Sequence, residues 1–403
     1  MYRSGPLARL RPPRLRQVQR KRRRGLTRLS NPVIPKCMNK LENQRADDGP
    51  SRIAELDYVL PPELIAQSPA AQRDAARLLI VDRAADTLRD GTIREFSELL
   101  RPDDLLVLND TRVLPARFHA RRVTGGLVRG LFLAELDPGV WRVMLEGSRR
   151  LRVGERLSLG SDIERRIPMT LLEASGEGHW LVRVDCRDPA EAVLERIGLT
   201  PLPPYIRRAA SDAEADATDR SRYQTVYARR SGAVAAPTAG LHLTDAMLDR
   251  IRKRGVEIAF VTLHVGLGTF KPIVADRLAD HVMHEERYEL PEETAQAVVR
   301  CRGRGGRIVA VGTTTVRVLE TAVRNRDDFA RFSPGRGSTG IFIYPPCEFR
   351  AVDALLTNFH LPRSTLLALV MAFAGVERTR RAYAHAVEQK YRFYSFGDAM
   401  LIV

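Results

Sequence analysis

Short apolar runs that end in polar turns dominate the second half of the chain. Residues 231–236 form such a run and predict a strand, after which a turn rich in Pro and Gly exposes Thr238 and His242. A helix is predicted to begin after Thr244, because Thr is a favourable N-cap residue, and its apolar face continues until Gly255 favours the helix end. The pattern therefore predicts a strand, a polar turn and an amphipathic helix in succession.

A second strand is predicted directly after that helix. Residues 256–263 are mostly apolar and β-branched, and they lead into a flexible loop with His264 at its start and Gly266 and Gly268 within it. Strand, helix and strand in this order are typical of a βαβ unit, whose two strands lie parallel. Ligands bind beyond the carboxyl ends of such strands, so we expect both loops to contribute to a binding crevice.

Three more predicted strands end in polar residues. They are 105–108, 307–311 and 354–357, and the polar residues that follow them include Asn109, Asp110, Arg112, Thr313, Thr314, Asn358 and His360. The segment 312–315 also precedes a predicted helix, so its backbone amides and hydroxyls are suited to anions. Five polar strand ends at one edge of a sheet predict an active-site crevice in an α/β main domain with a largely parallel sheet.

Residues 116–200 differ from the rest because apolar and polar positions alternate in short runs separated by glycine-rich turns. The runs are 118–123, 127–134, 140–145, 156–159, 169–173 and 179–184. Alternation with this spacing predicts short strands, and we expect a small β-barrel. The barrel is predicted to be inserted into the α/β catalytic domain, which comprises 51–115 and 201–403.

The net charge of +16 is concentrated at the start of the chain. Residues 1–40 carry thirteen Lys and Arg and no acidic residue, which leaves the other residues close to neutral. A basic composition alone is therefore poor evidence that the folded part binds nucleic acid. We expect residues 1–50 to be a disordered basic arm. The arm could bind RNA or act as a mitochondrial transit peptide, but we favour a translated upstream region, with Met38 as the native start.

Cysteine spacing and hydropathy limit the class of protein further. With 403 residues the chain is long enough for two or three domains and a large core. Its cysteines are far apart and form no C-x-x-C pair, which argues against a zinc ribbon, an iron–sulfur site or a disulfide framework and indicates a reducing cytoplasm. The apolar run 366–376 is about half the length of a membrane span, so a buried helix is predicted and no membrane segment.

Two other kinds of small-molecule site find little support in the sequence. His281, His284 and Glu285 would share one face of a helix, where a metal site is possible, but we favour a general base or a structural pair and predict no metal. Gly266 and Gly268 lack the third glycine of a dinucleotide fingerprint, and no phosphate-binding G-x-x-x-x-G-K-[ST] motif occurs, so neither NAD nor ATP is expected.

Two polar clusters have alternative interpretations. Arg73 and Arg77 could hold a phosphate or a substrate carboxylate, although a solvated face is the favoured interpretation. The aromatic segment 391–398, which contains Arg392 and Asp398, could stack on a purine or on tRNA bases, or it could belong to the core.

Eight motifs resemble a single family in chain order. They are LLVLNDTRVLPAR at 105–117, RYQTVYA at 222–228, VAAPTAGLHLT at 234–244, TLHVGLGTF at 262–270, HVMHE at 281–285, AVGTTTVRVLE at 310–320, TNFHLPRST at 357–365 and YRFYSFGDAM at 391–400. The chain resembles, from about residue 58 to residue 403, the S-adenosylmethionine:tRNA ribosyltransferase-isomerases of bacterial queuosine biosynthesis.

The resemblance implies an α/β domain with an inserted barrel and an unusual use of S-adenosylmethionine. That molecule would donate its ribosyl part to 7-aminomethyl-7-deazaguanine at the wobble position of tRNA, giving epoxyqueuosine, adenine and methionine. It would be consumed as a substrate, and no cofactor is expected, because its sulfonium acidifies the adjacent carbon for a His or carboxylate base. We expect a monomeric, cytoplasmic enzyme that acts on tRNA.

The same resemblance suggests roles for the polar residues. The catalytic candidates are His242, His264, His281 and His284. Asp110 and Arg112 are candidates for binding ribose hydroxyls and the methionine carboxylate. The other candidates for substrate binding are Thr238, Gly240, Gly266, Gly268, Thr313, Thr314, Asn358, His360, Arg392 and Asp398.

Two other functions are less well supported. An RNA-binding protein that kept the fold but lost the chemistry would not need proton-transfer histidines. A methyltransferase would carry a glycine-rich loop after its first strand and a ribose-binding acid after its second, and neither is found. The chain departs from the family at Leu243, Pro346, Cys347 and Arg129, where an aromatic residue, Gly-Tyr and an acid are usual.

Overall fold

The computed structural model describes residues 52–147, 150–160, 166–208, 213–266, 273, 275–324, 332 and 334–403. The predicted basic arm 1–50, with Met38, lies outside the described residues. The strands are β1 Arg77–Asp82, β2 Thr87–Thr92, β3 Leu105–Asn109, β4 Thr111–Val113, β5 Arg117–Arg122, β6 Leu127–Asp137, β7 Val140–Leu145, β8 Arg156–Leu159, β9 Ile167–Ala174, β10 His179–Val184, β11 Arg230–Ala233, β12 Glu257–Leu263, β13 Glu286–Leu290, β14 Ile308–Val311, β15 Gly335–Thr339, β16 Ala354–Asn358 and β17 Ala399–Ile402. The helices are α1 Phe96–Leu99, α2 Ala190–Ile197, α3 Ala213–Arg222, α4 Asp245–Lys253, α5 Glu292–Gly303, α6 Thr313–Arg324, α7 Thr365–Ala374 and α8 Val376–Glu388.

Nine of these strands form one mixed sheet in the order β15-β13-β12-β3-β14-β16-β17-β1-β2. The central strands β12, β3, β14 and β16 are parallel neighbours, and β17 is parallel to β1. The other neighbouring pairs in the sheet are antiparallel. The prediction of a largely parallel sheet is therefore not confirmed, because strand reversals flank a parallel centre.

The parallel centre is buried on both faces, as its continuous apolar sequence requires. Leu105 and Val107 of β3 belong to the core on the face covered by α5 to α8, whereas Leu106 and Leu108 belong to the opposite core with α1 and α4. Successive strand residues point to opposite faces, so one short strand contributes to both cores. Because helices cover both faces of the sheet, the loops lie at the carboxyl edge of these strands.

The strand predicted at 231–236 does not join this sheet. Strand β11 instead pairs in parallel with β4 in a separate two-stranded sheet, and the register shifts between Ser231 and Ala233. Gly232, which lies at the shift, has a φ angle of +145°, a conformation that other residues rarely adopt. The predicted βαβ unit is therefore wrong in its first strand, although its helix and second strand are present as α4 and β12.

The predicted boundaries of α4 are confirmed by its capping contacts. The hydroxyl of Thr244 accepts a hydrogen bond from the Met247 amide at 3.2 Å, as expected of an N-cap residue. The helix ends at Lys253, and Gly255 follows with a φ angle of +83°. This helix carries the chain from the polar turn at 237–243 back to the start of β12.

A closed antiparallel barrel follows β4 in the chain and confirms the barrel prediction. Its strands lie in the order β10-β7-β6-β5-β8-β9 and comprise residues from Arg117 to Val184. Alternate residues fill the interior, where Phe118 and Trp141 are almost fully buried. The limits of the inserted domain, 116–200, remain a prediction.

The C-terminal segment combines core helices with a central strand. Helix α7 is almost entirely buried, as predicted for the apolar run. None of the described helices is long and apolar enough to cross a membrane. Strand β17 lies between β16 and β1, and Tyr391 and Phe393 before it are fully buried. Those two aromatic residues therefore belong to the core.

Candidate active site

A pocket lies at the carboxyl ends of β14 and β16. It is partly open to solvent and has a cavity volume of about 70 Å³. Five residues of the predicted site line it, namely Thr238, Thr313, Thr314, Asn358 and His360. None of the described residues that line it is Asp, Glu, Lys or Arg. The pocket thus combines hydroxyl, amide and aromatic groups without a formal charge.

The fully buried amide of Asn109 joins three strand ends beside the pocket. Its Nδ2 donates to the Leu263 carbonyl and to Thr314 Oγ1, both at 3.1 Å. Its Oδ1 accepts from the amides of Leu263 at 3.0 Å and Thr111 at 3.2 Å. Because every polar atom of the side chain is paired, Asn109 fixes the ends of β12 and β3 against the start of α6.

Two helix N-termini meet at the pocket. Helix α6 begins at Thr313, directly after Gly312 with its φ angle of +86°. Helix α7 begins after Ser364, whose hydroxyl accepts from the Leu367 amide at 3.2 Å. Helix N-termini carry a partial positive charge, so this wall of the pocket favours electron-rich ligand groups.

Asn358, which lines the pocket, contacts His242, which does not line it. Asn358 Nδ2 donates to the Tyr394 carbonyl at 3.0 Å, which fixes the orientation of the amide, and lies 3.3 Å from His242 Nε2. That nitrogen must therefore accept the hydrogen bond and be unprotonated. Burial lowers the pKa of His242 to about 4, although Asp398 opposes the change. Asn358 Oδ1 is buried and has no hydrogen-bond partner among the described residues.

His360 is held even more rigidly. Burial lowers the pKa of its imidazole to about 3, and its Nε2 lies 2.8 Å from Thr357 Oγ1. The backbone amide of His360 donates to Tyr383 Oη at 3.0 Å, while Tyr58 Oη donates to its carbonyl at 2.6 Å. These contacts make His360 a neutral, oriented group at physiological pH.

His264 follows β12 and differs from the other two histidines in its hydrogen bonds. Its Nδ1 lies 2.9 Å from Thr111 Oγ1, and that hydroxyl donates to the Arg230 carbonyl at 3.4 Å. In the tautomer in which His264 Nδ1 donates to that hydroxyl, Nε2 carries the free lone pair. Nε2 has no hydrogen-bond partner among the described residues. Burial lowers the pKa of His264, and Asp110 opposes that change.

Gly232 lies against the His264 ring. A Cβ atom at position 232 would be 2.8 Å from His264 Nδ1, closer than real contacts allow. The neighbouring residue Val265 lines the pocket. The glycine therefore leaves the space that the imidazole occupies, and His264 itself does not line the pocket.

His281 and His284 lie elsewhere. Their segment is not helical but extended, and it leads into β13. The His281 ring contacts Phe342 edge to face at 5.1 Å, and burial together with His284 lowers the pKa of His281. Neither residue lines the pocket. The helix that would have placed His281 and His284 on one face is therefore absent. Among the described residues, no group of three or more His, Cys, Asp or Glu could hold a metal ion.

The structure directs Asp110 and Arg112 away from the pocket. Asp110 accepts from Thr262 Oγ1 at 2.6 Å, forms an ion pair with Arg229 at 3.0 Å and lines a separate cavity. Arg112 is exposed and contacts Glu195 of α2 at 2.9 Å. The predicted contacts to ribose and carboxylate are not supported by these positions, because both side chains already have charged partners on other surfaces.

The predicted glycines serve the backbone in different ways. A Cβ at Gly240 would lie 2.0 Å from Tyr227 Oη, so this glycine permits a close approach inside the core. The Gly266 amide donates to Glu286 Oε1 at 2.8 Å, and Glu286 forms a buried ion pair with Arg317. Gly268 lies outside the described residues.

Arg392 and Asp398 stabilise the C-terminal loop. Asp398 is buried and accepts from the backbone amides of Arg77 at 2.9 Å and Arg392 at 2.8 Å. The Arg392 side chain donates to the Ser68 carbonyl at 2.6 Å. Neither residue lines the pocket, so their contacts indicate a supporting role.

Two tyrosines in the pocket were not among the predicted site residues. The rings of Tyr205 and Tyr394 lie 4.7 Å apart with a tilt of 50°, and Tyr205 Oη lies 2.7 Å from Ser395 Oγ. Tyr394 adopts a φ angle of +72°. Tyr205 belongs to a proline-rich segment that sequence alone indicates only as a connection. The sequence feature that could have identified Tyr205 is an aromatic residue in the segment that leads from the barrel back to the main domain.

The fold and the motifs around this pocket define a known class of protein. The model of a family described as queuosine biosynthesis protein matches residues 53–402, and the chain belongs to that family. The resemblance inferred from the eight motifs is thereby confirmed.

Individual relatives are similar over almost their full length. The S-adenosylmethionine:tRNA ribosyltransferase-isomerase of Trichlorobacter lovleyi is 50% identical over 352 residues, covering 87% of this chain and 99% of that protein. The protein of the same name from Geobacter metallireducens is 51% identical over 354 residues, with the same coverage of 87% and 99%. A crystal structure of S-adenosylmethionine tRNA ribosyltransferase from Thermotoga maritima is 37% identical, with a TM-score of 0.49, and covers 87% of this chain and 100% of that one.

Proposed function

We propose that this protein is a ribosyltransferase-isomerase of tRNA. It transfers and isomerises the ribosyl moiety of S-adenosylmethionine onto 7-aminomethyl-7-deazaguanine at the wobble position, giving epoxyqueuosine-tRNA, adenine and methionine. The observation that carries this proposal is the match to relatives of that name at about 50% identity over 99% of their length. The pocket adds support, because it gathers residues from five of the eight motifs.

The pocket suits the adenosyl part of the substrate. The rings of Tyr205 and Tyr394 offer aromatic faces for adenine or for the positive sulfonium, which is attracted to the negative face of a ring. The N-terminal amides of α6 and the free Oδ1 of Asn358 offer a donor and an acceptor for polar edges. Such groups orient a nucleoside without charged side chains.

His264 is the best candidate for the base that removes the proton beside the sulfonium. A general base needs a free lone pair and a pKa near the working pH. His242 Nε2 already accepts from Asn358 and has a pKa of about 4, and His360 has a pKa of about 3. His264 Nε2 has no hydrogen-bond partner among the described residues, and the next residue, Val265, lines the pocket. We therefore assign orientation to His242 and His360.

The chemistry needs no separate cofactor in this proposal. The substrate's own sulfonium stabilises the carbanion that forms when the adjacent proton leaves, so S-adenosylmethionine supplies both the ribosyl group and the activation. The protein supplies the base, a partly enclosed pocket and fixed dipoles. We also propose a monomeric, cytoplasmic enzyme, in keeping with the free thiols of Cys186 and Cys301.

The outer face of the barrel suits the tRNA backbone. Arg117, His119 and Arg121 point to the same face of β5, and Arg129 of β6 lies opposite His119. Burial, Arg117 and Arg129 together lower the pKa of His119, which reflects the density of positive charge. Glu146, 3.4 Å from Arg129, is a nearby acid. We infer that this surface, the basic barrel face, contacts RNA phosphates.

The direct test is to incubate the protein with S-adenosylmethionine and tRNA carrying 7-aminomethyl-7-deazaguanine. Epoxyqueuosine in the nucleoside mass spectrum together with released adenine is the expected result. Binding of the tRNA without adenine release would instead indicate an RNA-binding protein. Methylated nucleosides without adenine would indicate a methyltransferase.

A further inference from the structure

A second, smaller pocket adjoins the first. It is a partly open cavity of about 20 Å³, and Arg73, Arg222 and His242 are among the residues that line it. His242 contacts Asn358, which lines the first pocket, and Ser395 lines both pockets. The two spaces therefore adjoin each other at Ser395.

Two arginines lie in this pocket without an acidic partner. Neither Arg73 nor Arg222 forms an ion pair with any described residue. Burial and the charge of Arg222 lower the pKa of the Arg73 guanidinium, while Tyr227 and Asp245 oppose the change. Two adjacent, partly buried cations are unfavourable unless an anion joins them.

Backbone carbonyls hold both guanidinium groups in place. Arg73 donates to the carbonyls of Leu241 at 3.1 Å and Ser221 at 3.0 Å. Arg222 donates to the carbonyls of Ala71, at 3.1 Å, and Ala70. Arg222 Nε is buried and has no hydrogen-bond partner among the described residues. Since a guanidinium has five N–H groups, both arginines keep donors for an oxyanion.

We propose that Arg73 and Arg222 bind the α-carboxylate of S-adenosylmethionine, with the adenosyl part in the first pocket. This assignment rests on the proposed function and replaces Arg112 as the carboxylate ligand. The substrate is a zwitterion, yet the described residues that line the first pocket include no Arg or Lys. The adjoining pocket supplies the missing positive charge. Its small volume favours a carboxylate over an RNA backbone, which needs an open groove.

The first experiment compares two ligands on the unmodified protein. Calorimetric titration would measure the Kd of S-adenosylmethionine and of decarboxylated S-adenosylmethionine, which lacks only the α-carboxylate. We expect decarboxylation to weaken binding about 10- to 100-fold, as for loss of charge-assisted hydrogen bonds. Equal affinities would overturn the proposal. Because binding is measured without turnover, this result is independent of whether adenine release occurs in the activity assay.

The second experiment assigns that difference to the two arginines. In R73Q and R222Q, we expect S-adenosylmethionine to bind about as weakly as the decarboxylated ligand, whose own affinity stays unchanged. The matched control is R94Q, because Arg94 contacts Gln72 and Asp74 of the same segment but does not line the pocket. It should keep the full difference.

Two results in the variants would contradict the assignment. If R73Q and R222Q weaken both ligands equally, the arginines only support the loop through the carbonyl contacts. If they retain the difference between the ligands but bind tRNA more weakly, the pocket takes an RNA phosphate instead. Thermal unfolding of each variant shows that the comparison is made on folded protein.

Discussion

The active-site pocket and the basic barrel face solve different recognition problems within one chain. In and beside the pocket, buried Asn358, His360 and Asn109 are held by hydrogen bonds at fixed distances. The described lining residues include no Asp, Glu, Lys or Arg. On the barrel, Arg121 and Arg129 are exposed. A reaction at one carbon atom requires fixed geometry, whereas a polyanion is recognised by charge density that tolerates mobile side chains.

The largest expected effect is on turnover, at His264. Replacing His264 with Gln removes the proposed base, and we expect the rate of adenine release to fall about 10²- to 10⁴-fold. His385, which is paired with Asp90 at 3.0 Å on the surface, offers a control histidine whose replacement by Gln leaves the rate unchanged. An H264Q rate close to that of the unmodified protein would remove His264 from the catalytic role.

Loss of the Asn109 amide should reduce stability next most strongly. In N109L the backbone groups of Leu263 and the hydroxyl of Thr314 lose their partner, so we expect the free energy of unfolding to fall by about 2–4 kcal/mol. Urea unfolding measures this. Gln296, an exposed amide on α5, provides the control in Q296L. Similar losses in the two variants would show that Asn109 is not the residue that joins the strand ends.

The buried histidines should make stability depend on pH. His242 has a pKa of about 4 when folded, below the ordinary value of 6.5, so the unfolded chain binds a proton that the folded protein does not. Its contribution is fully present above pH 6.5 and falls as the pH decreases towards 4, by up to about 1.4 kcal/mol per pH unit. Unfolding between pH 7 and pH 5 should show a flatter dependence in H242N. An unchanged dependence would contradict the depressed pKa.

The smallest effect is expected at the barrel. R121Q and R129Q should each raise the KM for tRNA by several-fold at low salt and reduce the slope of log KM against log salt concentration by about one unit. The KM for S-adenosylmethionine should not change, since the pocket is elsewhere. Arg252, which is paired with Asp249 on α4, provides a surface control in R252Q. Unchanged salt dependence in the barrel variants would place the tRNA on another surface.

Local sequence patterns predicted the individual helices and strands better than they predicted which strands pair with each other. Thr244 was identifiable as an N-cap because capping depends on neighbouring residues, and the barrel strands followed from alternation. The partner of β11 could not be predicted, since any short apolar run is compatible with several strands. The predicted ends of β3, β12, β14 and β16 did meet at one edge.

The prediction of the site residues was limited in the same way, because their contacts depend on the fold. Thr111 and Arg112 are adjacent in the sequence, but β4 directs Thr111 towards His264 and Arg112 towards Glu195. Tyr205 and Tyr394 are far apart in the sequence and meet only in the folded protein. Contacts between residues so far apart depend on packing and leave no local signal. Residue type therefore indicated the chemistry of the loops, and the fold decided which of their side chains share a pocket.

The close contact between Gly232 and His264 bears on how natural variants of this protein should be interpreted. A change from Gly to Ala or Ser adds one or two atoms and no charge, so scales of residue similarity would rank it as harmless. At position 232 the added carbon would occupy the space of the imidazole, on a backbone with a φ angle of +145°. A strain with such a change would be classified as having a functional enzyme on the basis of residue similarity, and yet its tRNA would lack the modified nucleoside.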